Sequence, residues 1–256
     1  MNDEESRVPP ARPHQKLTDD GRRMREVLSY SRRGSRFTPL QAAAWEAHHE
    51  RWVIPDEAVD AVDFSLDSWF GRASGDREGL IVEIGSGVGE ATAALAATRP
   101  SYDVLALEVW RPGVAATLAR LDEAGVDNVR LCSVDATWSL EHLLAPGSVA
   151  ELWTFFPDPW PKARHHKRRL VSPAFAALAA SRLRSGGLWR LATDWGGYAE
   201  QMLAVLGAEP GLEGGIVDRW HERPVTKFER KGVAAGRSIV DLRYRRSDLG
   251  SGQPPP

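Results

Sequence analysis

A single cysteine, Cys132, stands in the chain. That excludes an internal disulfide and any cysteine-based metal cluster, and its setting in VRLCSV predicts a small core residue. The chain also lacks an apolar run approaching the length that crosses a bilayer. Its first residues, MNDEESRVPPARPHQ, are acidic and then proline-bearing, without the apolar core of a signal peptide. Residues 1–20 and 249–256 are therefore expected to be disordered tails of a cytoplasmic protein. An excess of charge of one sign is missing too. The net charge of −2 argues against binding nucleic acid with the whole surface, but not with a local patch.

Local patches are present. Arg22, Arg23, Arg25, Arg32, Arg33 and Arg36 crowd an N-terminal arm. Lys162, Arg164, His165, His166, Lys167, Arg168 and Arg169 follow a Pro-Asp-Pro-Trp turn. From about residue 79 apolar strand patterns alternate with amphipathic helix patterns. GLIVEIG, YDVLALEV, VDNVRLCSV, VAELWTFF and GGLWRLATD read as strands, and GGIVDRW and SIVDLRYRR as two closing ones. EATAALAAT, RPGVAATLARLDEAG, SPAFAALAASRL and YAEQMLAVLG read as helices, with Ser172 as an N-cap. The strands are apolar without period-two alternation, which implies an α/β, Rossmann-like fold: a mostly parallel sheet with helices on both faces. The expected layout is a basic extension with helices over 21–78 and a Rossmann-like domain over 79–248.

Ligands of such sheets sit beyond the carboxyl ends of the strands, so strand-end residues carry the function. The first strand ends in EIGSGVGE, where Gly85, Gly87 and Gly89 allow a tight turn and close approach to a ligand. Glu108 ends the second strand and suits a ribose diol. The pattern is GxGxG rather than GxGxxG, with Glu83 before it and Glu90 after it. Such an acidic loop repels a pyrophosphate and suits the cationic donor S-adenosylmethionine, with Asp135 after strand three placed to reach an adenine edge. The fourth strand delivers FFPDPWPKARHHKRR to the same rim. Its two prolines stiffen the turn that carries Asp158, and Trp160 is placed either to stack on a base or to pack in the core. The aspartate and the basic run read as two halves of one nucleic-acid site.

EIGSGVGE, LEVWRPGV, SVDAT, FFPDPWPKARHHKRR, ATDW and RPVTKFERKG, in that order, resemble the bacterial tRNA (guanine-N7-)-methyltransferase family from about Val27 to Arg246. The resemblance implies a seven-stranded class I methyltransferase fold acting on a guanine of the tRNA variable loop, position 46. It implies a donor site of Glu83, Gly85, Gly87, Glu108, Asp135 and Asp158, with Asp158 catalytic. It implies substrate contacts from Lys162, Asp194, Thr226, Lys227, Phe228 and Glu229, and RNA contacts from Arg164, His165, His166, Lys167, Arg168 and Arg169. SYSRRGSRFTPLQ also resembles the family's arginine-rich entry segment, whereas Ser86 stands where an aromatic is frequent. The partner implied is tRNA; no metal, membrane or obligate protein partner is expected, and the sequence leaves open whether the chain forms a homo-oligomer.

Guanine N7 offers a lone pair and carries no proton, so a strong general base is unnecessary. A nearby carboxylate can stabilise the charge the base acquires. Asp158 and Asp194 are both placed to accept from the guanine N1–H and amino edge, and Asp194 alternatively to cap a helix. Three other readings compete. The GxGxG spacing and its acids oppose a dehydrogenase, and the charged PDPW turn opposes methylation of exocyclic amino groups. The run of strand-end carboxylates opposes a non-catalytic RNA-binding subunit.

Overall fold

The computed structural model of the chain describes residues 28–30, 34–61, 63–71 and 76–247. Both expected tails lie outside them, as do Arg22, Arg23, Arg25, Arg32 and Arg33. The strands are apolar at successive positions because both faces are covered. In β1 (Gly79–Ile84), Leu80, Val82 and Ile84 enter one core and Ile81 enters the other. The same division holds along β2 (Tyr102–Leu107), β3 (Val129–Cys132), β4 (Val149–Phe155) and β5 (Leu183–Thr193). With β6 (Leu212–Val217) and β7 (Val240–Arg246) they form a seven-stranded sheet in the order β3-β2-β1-β4-β5-β7-β6. The first five strands are parallel; β7 runs antiparallel to β5, and β6 antiparallel to β7. Cys132 is a buried core residue, as its setting predicts.

Three helices precede the sheet: α1 (Pro39–Trp52), α2 (Asp56–Val59) and α3 (Leu66–Phe70). They are not a separate unit. Trp52 is fully buried, its indole N–H donates to the Val126 carbonyl at 3.1 Å, and Val53 forms a parallel bridge with Leu131. With α1, α4 (Glu90–Ala97) and α5 (Arg111–Ala124) cover one face. The other is covered by α6 (Ala136–His142), α7 (Pro173–Arg182) and α8 (Gly196–Gly207). Ser172 does cap α7, its hydroxyl accepting from the Phe175 N–H. Two helices stand where apolar periodicity gave none, α6 and the polar α9 (Lys227–Ala234) between β6 and β7. Strand order reverses at β1, between β2 and β4, and the crevice beyond that point is where a ligand site belongs.

Candidate active site

Gly85, Gly87 and Gly89 hold φ of 73°, 62° and 78°, a left-handed conformation that costs a glycine nothing. At Gly89 space also demands glycine, since a Cβ would lie 2.4 Å from the Thr117 methyl where α4 packs on α5. Glu108, just past β2, is locked to this loop. One carboxylate oxygen accepts from the Gly87 N–H and the other from the Trp110 N–H, both at 2.8 Å. Asp135, just past β3, caps α6 with one oxygen, which accepts from the Thr137 and Trp138 N–H groups at 2.9 and 3.2 Å. Asp158 comes from the turn after β4.

These segments enclose one cavity. Its wall includes Gly85, Gly87, Glu108, Asp135, Asp158 and Phe228, with Ile84, Leu107, Val134, Phe156 and Leu170 supplying apolar surface. Three carboxylates and no lysine or arginine line it among the described residues. That lining disfavours a phosphate and suits a cation, and the apolar walls suit a purine face, so the residues present fit S-adenosylmethionine. Ser86 adds a buried hydroxyl with no hydrogen-bond partner among the described residues. Serine in place of an aromatic leaves a polar group in the donor loop.

Glu83 does not reach this wall. It lies beneath the loop, 3% exposed, and accepts from the Thr92 hydroxyl at 2.5 Å. Burial pushes its carboxyl up to about 7; the Thr92 hydrogen bond opposes the rise and the Glu108 charge adds to it. Through Thr92 it ties β1 to α4 beneath the loop.

A family model described as "Putative methyltransferase" matches residues 77–242. The chain is 67% identical over 239 residues to the tRNA (guanine-N(7)-)-methyltransferase of a Nocardioides species, covering 93% of this chain and 95% of that one. It is 48% identical to the protein of the same name from Cutibacterium acnes, covering 88% of this chain and 84% of that one. The chain belongs to the tRNA (guanine-N7-)-methyltransferase family. Among solved structures, the 16S rRNA methyltransferase KamB superimposes with a TM-score of 0.51 at 18% identity, over 71% of this chain and 94% of that one, which supports the fold.

The TKFE segment begins α9, with Thr226 as N-cap accepting from the Glu229 N–H at 3.4 Å. Phe228 reaches the cavity and Lys227 is exposed. Glu229 turns away: it is 4% exposed and pairs with Arg219 and with the fully buried Arg223, which also grips Asp241. Burial opposes its ionisation, but the two guanidinium groups outweigh that and hold its carboxyl below the usual range. Both of its carboxylate oxygens accept from these guanidinium groups. Asp194 is likewise committed, pairing with Arg237 at 2.8 Å and packing on Gly232 of α9. It does not cap α8, whose start is instead supported by Thr193, the hydroxyl accepting from the Trp195 N–H.

The basic run divides by role. Residues 163–168 form a 3-10 helix with Lys162 exposed at its start. Arg164, His166 and Lys167 point to solvent. Loss of hydration and then the surrounding cations hold His165 below the usual imidazole range. Arg168 stacks 3.5 Å over the Trp160 ring and donates to the Leu28 and Tyr30 carbonyls. Arg169 is 5% exposed and donates to the Pro159 and Gly197 carbonyls and to Gln201. Of the expected RNA contacts, Arg164, His166 and Lys167 are exposed and His165 is half-buried, whereas Arg168 and Arg169 bond to the protein's own carbonyls. Sequence reasoning missed that Ser29 and Tyr30 line this cavity. The arginine-rich resemblance of SYSRRG marked that segment, and Trp110, whose indole donates to the Gly34 carbonyl, helps tether it.

Proposed function

We propose that this chain transfers the methyl group of S-adenosylmethionine to N7 of a guanine in the tRNA variable loop, position 46. The observation that carries the reading is the convergence of the glycine loop, Glu108, Asp135 and Asp158 on one cation-suited cavity, in a chain of this family. The donor, when bound, supplies an activated methyl on a positively charged sulfur. Glu108 and Asp135 hold its ribose and adenine side, and Gly85 and Gly87 let the backbone close on it. Asp158, at the rim between the donor cavity and the exposed basic residues, faces the guanine and stabilises the positive charge the base acquires. Because N7 has a lone pair and no proton, no residue need remove one. Asp158 also accepts from the N1–H and amino edge; adenine has no N1–H and reverses that edge. Asp194, held by Arg237, sets the position of α9. Lys162, Arg164 and Lys167 bind phosphates, which orient the tRNA and leave base choice to the cavity.

Incubation with labelled donor and tRNA lacking the modification, followed by digestion to nucleosides, tests this reading. The expected labelled product is N7-methylguanosine. Label in a methylated adenosine or in an exocyclic N-methylguanosine, or no transfer at all, overturns it.

A further inference from the structure

Glu90 opens α4, directly after the donor loop, yet its side chain is spent on a helix distant in sequence. One oxygen accepts from the backbone N–H of Lys227 at 2.5 Å and the other from the Arg230 guanidinium at 2.6 Å. Arg230 in turn donates to the Val225 carbonyl. Lys227 is the first residue of α9, so its N–H is one of the orphan donors every helix start leaves behind. Thr226 satisfies the Glu229 N–H, and Glu90 supplies an acceptor for a second from another element. The neighbouring residue is Phe228. A Cβ built on Gly87 would lie 3.7 Å from its ring, so Phe228 stands over the donor loop. At the other end of α9, Gly232 lies against Asp194, where a Cβ would meet the carboxylate carbon chain at 2.7 Å. Glu90 therefore decides where the start of α9 sits relative to the loop that α4 follows.

We propose that Glu90 is a positioning residue: by capping α9 across the fold it holds Phe228 against the mouth of the donor cavity, so that donor loop and base-side helix are set as one unit. The competing account is a surface ion pair with Arg230, which is 54% exposed and would contribute little. The two differ in what they predict for Phe228. The inference rests on the cavity being the donor site.

A double-mutant cycle of Glu90→Ala and Phe228→Ala tests it, with kcat/KM for tRNA measured on the full chain and folding checked by thermal melting. Glu90→Ala is expected to lower kcat/KM about 10- to 100-fold, the scale for a misplaced contact. Adding Glu90→Ala to Phe228→Ala should lower it no further than about twofold, because the two act through one contact. Glu90→Gln, whose amide oxygen still accepts from the Lys227 N–H, should recover most of the loss. Multiplying effects, a wild-type rate for Glu90→Ala, or a folded Glu90→Gln no better than Glu90→Ala would each overturn the proposal. The same cycle read on donor affinity by calorimetry needs no tRNA and should show the same non-additivity. The identity of the wild-type product judges the methylation reading separately from either cycle.

Discussion

Glu83 and Asp158 are both strand-end acids, yet their surroundings give them opposite tasks. The buried Glu83 holds its proton up to about 7, whereas an unfolded chain releases it near the ordinary glutamate value of 4.5. Between those limits the folded state binds more protons, so raising the pH through that window removes stability, by roughly 3 kcal/mol at most. Glu83→Gln, which stays neutral, should flatten that slope. Urea denaturation at pH 5 and pH 7 checks this, and equal pH dependence in the two proteins would contradict it. Asp158 instead lines the cavity. Asp158→Asn keeps the turn and loses the charge; turnover should fall about 10²-fold, the scale of one preorganised electrostatic group. Affinity for tRNA should hardly change, because phosphates dominate it. Asp158, Glu108 and Asp135 were legible because topology alone sends strand ends to the crevice. The pairing of Glu229 with Arg219 and Arg223, 10 and 6 residues away, and of Arg169 with Gln201 was not legible, because residue type announces a charge but not its partner.

The PDPW turn shows the same limit at the level of an element. Its prolines predicted stiffness, and the backbone goes further: Phe156 and Trp160 sit at φ of 53° and 44°. Left-handed conformations of large side chains cost of order 1–3 kcal/mol each and persist only when neighbours enforce them. Here the Trp160 indole donates to the Ser29 carbonyl, Arg168 stacks on its ring and Arg169 grips the Pro159 carbonyl. Arg168 and Arg169 of the basic run therefore build the turn, whereas Lys162, Arg164, His166 and Lys167 face solvent. Arg169→Ala should destabilise the fold by roughly 2 kcal/mol, since the charged hydrogen bonds of a buried guanidinium are lost. Arg164→Ala with Lys167→Ala should leave the melting temperature unchanged and flatten the salt dependence of tRNA binding by about one unit per lost phosphate contact. A destabilised double variant or an unchanged slope would contradict the division. Strands and long helices were legible from burial on both faces. Helix α9 was not, because its sequence KFERKGVA is mostly polar and exposed; the T-x-x-E pattern before it was the available start signal. Only the threonine half of that pattern is used, Glu229 being taken by Arg219 and Arg223.

Across the whole molecule, a net charge of −2 conceals a separation of functions. Carboxylates gather at the carboxyl ends of β1 to β4, and exposed cations gather on the 3-10 helix beside them. The sheet order with its reversal at β1 brings these together, although their residues span Glu83 to Lys167 in sequence. That overall placement followed from the alternation of strands and helices, whereas the role of α1 as part of the common core did not, since nothing in its polar pattern marks Trp52 as fully buried. The central claim is that this arrangement delivers a methyl group to N7 of one variable-loop guanine. N7-methylguanosine makes an RNA chain cleavable by borohydride and then aniline, so an end-labelled, unmodified tRNA treated with the protein and donor reports the site directly. A single donor-dependent scission at position 46, slowed about 10²-fold in its appearance by Asp158→Asn, is the predicted result. A methylated tRNA that resists scission, or is cut elsewhere, would contradict the account.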